Sequence, residues 1–100
     1  MGPFRLRVCT VDLAAMQVVR DDGAIAALSA REVRLVERLL AEPGRSLDRD
    51  TLNREVLDQR AGVLSRALDA MVHRLRTKIE ADPAAPRHVV TVRGLGYRLE

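Results

Sequence analysis

The stretch PRHVVTVRGLGYRL, residues 86–99, combines a short apolar alternation with two glycines one residue apart and a tyrosine. Its valines alternate with Thr91 and Arg93, which is the period-2 pattern of a half-buried strand. The chain can turn at residues 93–96, because glycine adopts backbone angles that other residues avoid. The sequence therefore predicts a terminal β-hairpin that carries Tyr97, one of only two aromatic residues in the chain.

Basic side chains are concentrated in the same part of the chain. The formal net charge is +3, and residues 1–62 carry ten basic and ten acidic side chains, so the whole excess lies in residues 63–100. Six of the seven basic residues there are arginine, which favours bidentate contact with phosphate or guanine. A polyanionic partner and a merely solvated basic face both fit this distribution.

Composition is that of a single soluble domain. We take the domain as residues 4–100 of the 100 and give no weight to residues 1–3, which could be a cloning remnant. Apolar residues make up 47% and charged residues 31%, an ordinary globular balance. No apolar run approaches the roughly 18 residues of a membrane span, and no signal peptide is visible. We therefore expect a cytoplasmic protein with no membrane partner.

Signals for catalysis or cofactor binding are absent from the sequence. A Gly-x-Gly pair with no helix behind it argues against a nucleotide site. His73 and His88 lie far apart in sequence, each among arginines, and neither has a nucleophile placed beside it. Cys9 is single, so neither an internal disulfide nor a thiolate metal cluster can form. We expect no catalytic residues, no metal and no cofactor.

The N-terminal segment predicts a small antiparallel sheet. Apolar residues alternate from Phe4 to Val8, and we expect this strand to continue through Leu13. Residues 17–23 then give a β-branched segment followed by Asp-Asp-Gly, a hairpin signal, because the turn needs positive φ. The returning strand is expected to include Ile25 and Leu28.

Two helix starts follow the sheet. Ser29 and Glu32 form a capping box, in which the serine oxygen accepts from the third backbone N–H and the glutamate reaches back. The predicted apolar stripe of this helix comprises Val33, Val36, Leu39 and Leu40. Pro-Gly at residues 43–44 ends the helix, and Asp48 is the expected N-cap of a second, shorter one.

Residues 64–80 predict the longest helix. Its apolar side comprises Leu64, Leu68, Met71, Val72, Leu75 and Ile79. At about 100° per residue, the opposite side comprises Arg66, Ala70, His73 and Thr77, flanked by Arg74 and Lys78 on one edge and Asp69 and Arg76 on the other. Such a basic face could enter a DNA major groove about 12 Å wide. An ordinary solvated helix surface would look the same, so the helix alone leaves both interpretations open.

A small sheet, three helices and a hairpin, in that order, predict an α+β fold of the winged helix-turn-helix type. Three segments resemble the OmpR/PhoB-type winged-helix effector domain of bacterial response regulators: LSAREVRLVERLLAEPGRSLDRDTL, RALDAMVHRLRTKIE and PRHVVTVRGLGYRL. The resemblance runs from about Leu6 to Leu99. It implies sequence-specific binding of double-stranded DNA in transcription regulation, with helix 64–80 in the major groove and the wing, residues 88–99, at the minor groove.

The resemblance also implies roles for single residues. Arg74 matches a position that contacts base edges, with Ala70, His73 and Thr77 beside it. Positions that contact the sugar–phosphate backbone are matched by Arg49, Arg66, Arg76 and Thr91. At Arg49 the helix N-terminus can also offer backbone N–H groups to a phosphate.

The wing carries further implied roles. Arg93 at its tip is expected in the minor groove, because a narrow minor groove concentrates negative potential. Tyr97 is expected to pack the wing against the body, and the two glycines to let its tip turn sharply. Asp69 and Lys78 each leave two alternatives open, an intramolecular ion pair or a role at DNA.

Partners are implied by resemblance as well. The loop at residues 58–64 corresponds to the segment that touches RNA polymerase in activators, but its run at residues 61–64 is more apolar than usual in the family, so activation and repression both stay open. Family members usually pair head-to-tail on DNA, so we expect a monomer in solution. The chain holds no receiver domain, so it is either an excised effector domain or a standalone regulator. The alternative function is a protein-interaction module that has lost specific DNA binding, against which the retention of Arg74, Thr91 and Arg93 speaks.

Overall fold

A computed structural model describes residues 2–58 and 66–100, and this part of the chain has the predicted winged-helix architecture. In chain order the elements are β1 (Phe4–Arg5), β2 (Cys9–Asp12), β3 (Gln17–Arg20), β4 (Ile25–Ala27), α1 (Ala30–Leu40), β5 (Leu47–Asp48), α2 (Arg49–Leu57), α3 (Ala67–Ile79), β6 (Val89–Val92) and β7 (Gly96–Leu99). The described strands form two antiparallel sheets, in the orders β1-β2-β3-β4 and β5-β7-β6.

The N-terminal sheet differs from the prediction in one respect. The alternation predicted one continuous strand from Phe4, but the chain reverses between β1 and β2, where the Leu6 N–H donates to the Cys9 carbonyl at 2.8 Å. Phe4 then pairs with Val11. Periodicity cannot reveal this reversal, since the alternation resumes on the far side of the turn. The hairpin between β3 and β4 is confirmed, with Gly23 at a φ of +93°.

Both helix starts are confirmed. Ser29 Oγ accepts from the Glu32 N–H at 3.1 Å, and Glu32 Oε1 accepts from the Ser29 N–H at 2.8 Å. Asp48 Oδ1 accepts from the Thr51 N–H at 2.6 Å at the start of α2. Each cap satisfies amides that the first turn of a helix leaves without partners.

One core lies beneath both sheets and the three helices. The predicted stripe of α1 was incomplete: Leu35, which it omitted, is fully buried, whereas Val33 and Leu40 are half-buried and pack against the core. The large side chains at the centre of the core are Leu35, Leu39, Leu52, Leu68, Leu75 and Ile79. None of the helices within residues 2–58 and 66–100 is long and apolar enough to cross a membrane.

The third helix is shorter than predicted at its C-terminal end. It ends at Ile79, and Glu80 is extended, with φ −87° and ψ 147°. The buried Glu80 carboxylate accepts from three consecutive backbone amides, those of residues 87–89, at 2.9–3.2 Å. This long-range cap pulls Glu80 out of the helix. Residues 59–65 lie outside the described part of the chain, and with them the predicted helix start at 64 and nearly all of the 58–64 loop.

The terminal hairpin is confirmed, and β7 lies in the middle of its sheet, between β5 and β6. Gly94 has a φ of +73° and allows the turn, as predicted. The prediction that Gly96 also serves the turn was wrong, since its φ is not positive. A Cβ at Gly96 would instead overlap the carbonyl oxygen of Leu47. Gly96 is therefore required because the backbones of β5 and β7 approach each other too closely for a side chain.

Candidate DNA-binding surface

The outward face of α3 is exposed where the sequence placed it. Ala70, His73, Arg74 and Thr77 are all exposed, and so is Arg66 at the N-cap position. Thr77 Oγ1 donates to the Arg74 carbonyl at 2.6 Å, so its hydroxyl proton is used within the helix. Within the described part of the chain, the side chains of His73 and Arg74 make no hydrogen bond or ion pair. Their polar groups are available to a partner.

Lys78 does not belong to this face. Its Nζ donates to Glu32 Oε1 and to the Ala27 carbonyl, each at 2.7 Å, so it joins α3 to α1. Burial acts to raise the pKa of the Glu32 carboxyl, but hydrogen bonds from Lys78 and Ser29 outweigh it and the pKa is lowered. Of the two alternatives for Lys78, the intramolecular ion pair is confirmed.

One carboxylate joins α2, α3 and the wing. Both terminal nitrogens of Arg49 donate to Asp69, at 2.6 and 2.8 Å, and the Tyr97 hydroxyl donates to Asp69 Oδ1 at 2.5 Å. The hydrogen bonds from Arg49, and with them the one from Tyr97, hold the pKa of Asp69 below its ordinary value despite partial burial. The ion-pair alternative for Asp69 is thus confirmed too, and the partners of Asp69 come from α2 and from the wing.

A second arginine fixes α3 to the wing. Arg76 Nε donates to the Val89 carbonyl at 2.9 Å, and its Nη2 donates to Thr91 Oγ1 at 2.8 Å. The guanidinium carbon also lies 5.6 Å from the centroid of the Tyr97 ring, within the range of a cation–π interaction. We call the cluster of Arg49, Asp69, Arg76, Thr91 and Tyr97 the helix–wing junction.

The start of α2 is also tied to the wing. The Arg49 N–H donates to the Leu95 carbonyl at 3.1 Å, and the Thr51 N–H is taken by Asp48. The expectation that this helix terminus offers its amides to a phosphate is therefore wrong for these two groups, since both have intramolecular acceptors. At the wing tip, Arg93 and Leu95 are exposed, and Leu95 is 42% accessible.

The sequence-predicted residues thus fall into three places. Arg66, Ala70, His73, Arg74 and Thr77 share the outward face of α3, whereas Arg49, Arg76 and Thr91 belong to the helix–wing junction, and Arg93 lies on the wing tip. Sequence reasoning singled out Asp69 and Tyr97 but missed that they contact each other. No local signal could have revealed the contact, because 28 positions separate them.

A helix-turn-helix closed by a three-stranded sheet, with a basic helix face left open beside the wing, defines the winged helix-turn-helix class of DNA-binding domains. Comparison with known proteins identifies the family within this class. The model of the C-terminal domain of transcriptional regulatory proteins matches residues 23–99. The chain belongs to this family, the OmpR/PhoB-type DNA-binding domains of response regulators, which confirms the resemblance carried by the three sequence segments.

Individual relatives agree with the family. The sensory transduction protein RegX3 of Mycobacterium leprae is 44% identical over 103 residues, covering 99% of this chain and 47% of that protein. The RstA DNA-binding domain of Klebsiella pneumoniae, solved in complex with the RstA box, superposes with a TM-score of 0.77 at 26% identity, over 99% of this chain and 97% of that one. Thermotoga maritima DrrB, an OmpR/PhoB homologue, gives 0.79 at 26% identity, over 98% and 44%. The chain therefore spans less than half of the RegX3 relative.

Proposed function

We propose that this chain binds a specific double-stranded DNA sequence in transcription regulation, with the outward face of α3 in the major groove and the wing at the minor groove. The observation that carries the proposal is that exposed polar side chains on that face have no intramolecular partner among the described residues. The side chains of His73 and Arg74 have no hydrogen-bond or ion-pair partner within the described residues, whereas Lys78, on the adjoining edge of the same helix, is paired inside the protein. Exposed arginines of this kind suit direct readout of guanine edges.

Readout of the bases is assigned chiefly to Arg74. It lies on one edge of the exposed face, with His73 beside it in sequence and Thr77 almost one turn further along, and the small Ala70 leaves room for a base edge to approach. Arg74 is the bidentate donor of the set, and Thr77 presents a methyl group suited to thymine.

Contacts to the sugar–phosphate backbone are assigned to Arg49, Arg66, Arg76 and Thr91. Arg76 and Thr91 already hold each other, so a phosphate placed beside Thr91 would meet a guanidinium of fixed position. Arg93, exposed on a wing whose base is anchored by Tyr97, is assigned to the minor groove.

Further aspects of the function follow the family. Residues 4–100 act as one domain, a monomer in solution that pairs head-to-tail on DNA, and the segment 58–64 contacts RNA polymerase. The domain works in the cytoplasm by binding rather than by catalysis. The described residues hold no group of three or more His, Cys, Asp or Glu side chains placed for a metal ion.

A salt titration of duplex binding tests the function. Arg49, Arg66, Arg76 and the wing suggest roughly five phosphate contacts per protomer, so counterion release gives a slope of log K against log salt of about −4 to −5. The affinities are measured by fluorescence anisotropy on a random-sequence duplex and on the sequence that the protein enriches from a random pool. A slope near zero would contradict DNA binding and favour a protein-interaction module instead.

A further inference from the structure

The carboxylate of Asp69 lies beside the proposed DNA-binding surface, where a negative charge is unfavourable. It lies on α3 next to the outward face, its side chain is 46% accessible, and a negative charge there repels phosphates of any sequence. Both of its oxygens are nevertheless occupied by groups that belong to the proposed interface, Arg49 from α2 and Tyr97 from the wing. The contacts of this one residue therefore reach all three elements that would touch DNA.

The geometry also limits what Arg49 can offer to DNA. Its two terminal nitrogens both donate to Asp69, and this pairing raises the pKa of the guanidinium further above its ordinary value. A phosphate can use the full charge of Arg49 only by competing with the carboxylate. Random DNA supplies phosphates but no matching base edges, so it gains least from that competition.

We infer that Asp69 is a positioning residue that determines specificity: it neutralises Arg49 against non-specific phosphate binding and, through the Tyr97 hydroxyl, holds the wing in register with α3 for the specific site. The inference rests on the proposed DNA-binding function and deepens it. Specificity is a difference between two affinities, and an element that weakens binding to the wrong partner raises it as surely as a new contact to the right one.

The test compares Asp69→Asn with the wild type on two probes, a random-sequence duplex and the duplex selected by the wild type. Asparagine keeps an oxygen for the Tyr97 hydroxyl but loses the charge. Random-duplex affinity is expected to rise several-fold at low salt, and the salt slope to steepen by up to about one, because the carboxylate no longer competes with phosphate for Arg49. The ratio of specific to random affinity should fall roughly tenfold, equivalent to about 1.4 kcal/mol.

Asp22→Asn is the matched control. Asp22 is an exposed aspartate in the β3–β4 turn, where its carboxylate accepts from a backbone N–H, and the substitution changes the net charge by the same amount. It should leave the specificity ratio unchanged. Equal effects of the two variants would mean that net charge alone is at work and would overturn the inference.

A second variant separates the contribution of the Tyr97 hydroxyl from that of the Arg49–Asp69 ion pair. Tyr97→Phe removes only the hydroxyl, so the specificity ratio should fall while the salt slope stays as in the wild type. A fall in Asp69→Asn affinity for both probes, or an unchanged ratio in folded Tyr97→Phe, contradicts the inference. Failure of the wild type itself to bind either duplex contradicts the proposed function instead, so the two failures are distinguishable. Circular dichroism confirms the fold of each variant.

Discussion

Arg74 and Arg76 are two residues apart on α3, yet they lie in regions that differ in their side-chain contacts. Arg74 lies on the outward face, and its side chain has no polar partner among the described residues. Arg76 lies in the helix–wing junction, where Val89, Thr91 and the Tyr97 ring hold its guanidinium. The side chain of Arg74 is therefore available to a partner, whereas that of Arg76 is held by intramolecular contacts.

The difference matches two tasks of a DNA-binding surface. A contact to the phosphate backbone must sit at a fixed distance from the helix, and a side chain that is already held loses less conformational entropy on binding. A contact to base edges depends on the base sequence, so a side chain that is not already held by intramolecular contacts can adjust to it. We propose that the junction sets the register of the domain on DNA and that the outward face of α3 selects the base sequence.

Removing the ring of Tyr97 should break the junction and give the largest effect. Tyr97→Ala takes away a buried aromatic side chain that is 6% accessible, at a cost of about 3–5 kcal/mol in the free energy of unfolding. The loss should appear first in the wing, because a two-stranded hairpin is marginal by itself in water. Denaturant unfolding measures the stability, and amide hydrogen exchange in residues 89–99 locates the loss.

The same variant tests whether the wing positions Arg93. In the wild type Arg93→Ala should weaken DNA binding, whereas in folded Tyr97→Ala it should cost little more, since a loose wing cannot hold the arginine in the groove. A double-mutant cycle on DNA affinity measures this coupling. Strictly additive losses would mean that the ring does not position the arginine.

The two wing glycines should respond differently to alanine. Gly96→Ala forces a methyl group against the Leu47 carbonyl and the backbone of residues 48–49, so β7 must move away from β5, at roughly 1–3 kcal/mol or more. Gly94→Ala meets open space and suffers only the strain of its positive φ, about 1–2 kcal/mol. Thermal unfolding of both variants ranks them, and equal destabilisation would contradict the close approach of β5 and β7.

Substitution of the two arginines should give the sharpest contrast in DNA binding. Arg74→Ala should reduce discrimination at one or two base pairs by roughly 1–3 kcal/mol while leaving random-duplex affinity largely intact. Arg76→Ala should weaken random binding as well as specific binding, because random DNA also supplies the phosphate contact, which carries no sequence information. Binding of each variant to single-base variants of the selected site separates them. If both lose specific and random binding equally, the assignment of Arg74 to base readout is wrong.

Local signals predicted much of this fold. The capping box at Ser29, the Asp48 cap, the Asp-Asp-Gly turn and the apolar side of α3 each depend on residues a few positions apart, and each was confirmed. Features that depend on distant residues were missed or misassigned. Glu80 leaves its helix to cap amides seven to nine residues away, and Gly96 is required by a strand about fifty positions earlier.

The candidate site divides in the same way. Helical periodicity was enough to place Ala70, His73, Arg74 and Thr77 on one exposed face, because a helix surface follows from spacing alone. Periodicity also put Lys78 beside that face, although its flexible side chain reaches Glu32, 46 positions away. The roles of all these residues at DNA remain predictions that the proposed substitutions test.

The strand order β5-β7-β6 determines when the strands of this sheet can pair in the nascent chain. The middle strand of this sheet is the last element in chain order, and its neighbour β5 was synthesised about fifty residues earlier. Until the ribosome has delivered residues 96–99, β5 and β6 have no strand to pair with, and closing so long a loop carries an entropic cost that the packed helices must already offset. The helices are therefore all synthesised before the wing can pair. Any contact that the wing makes with DNA becomes available only after residues 96–99 have been synthesised.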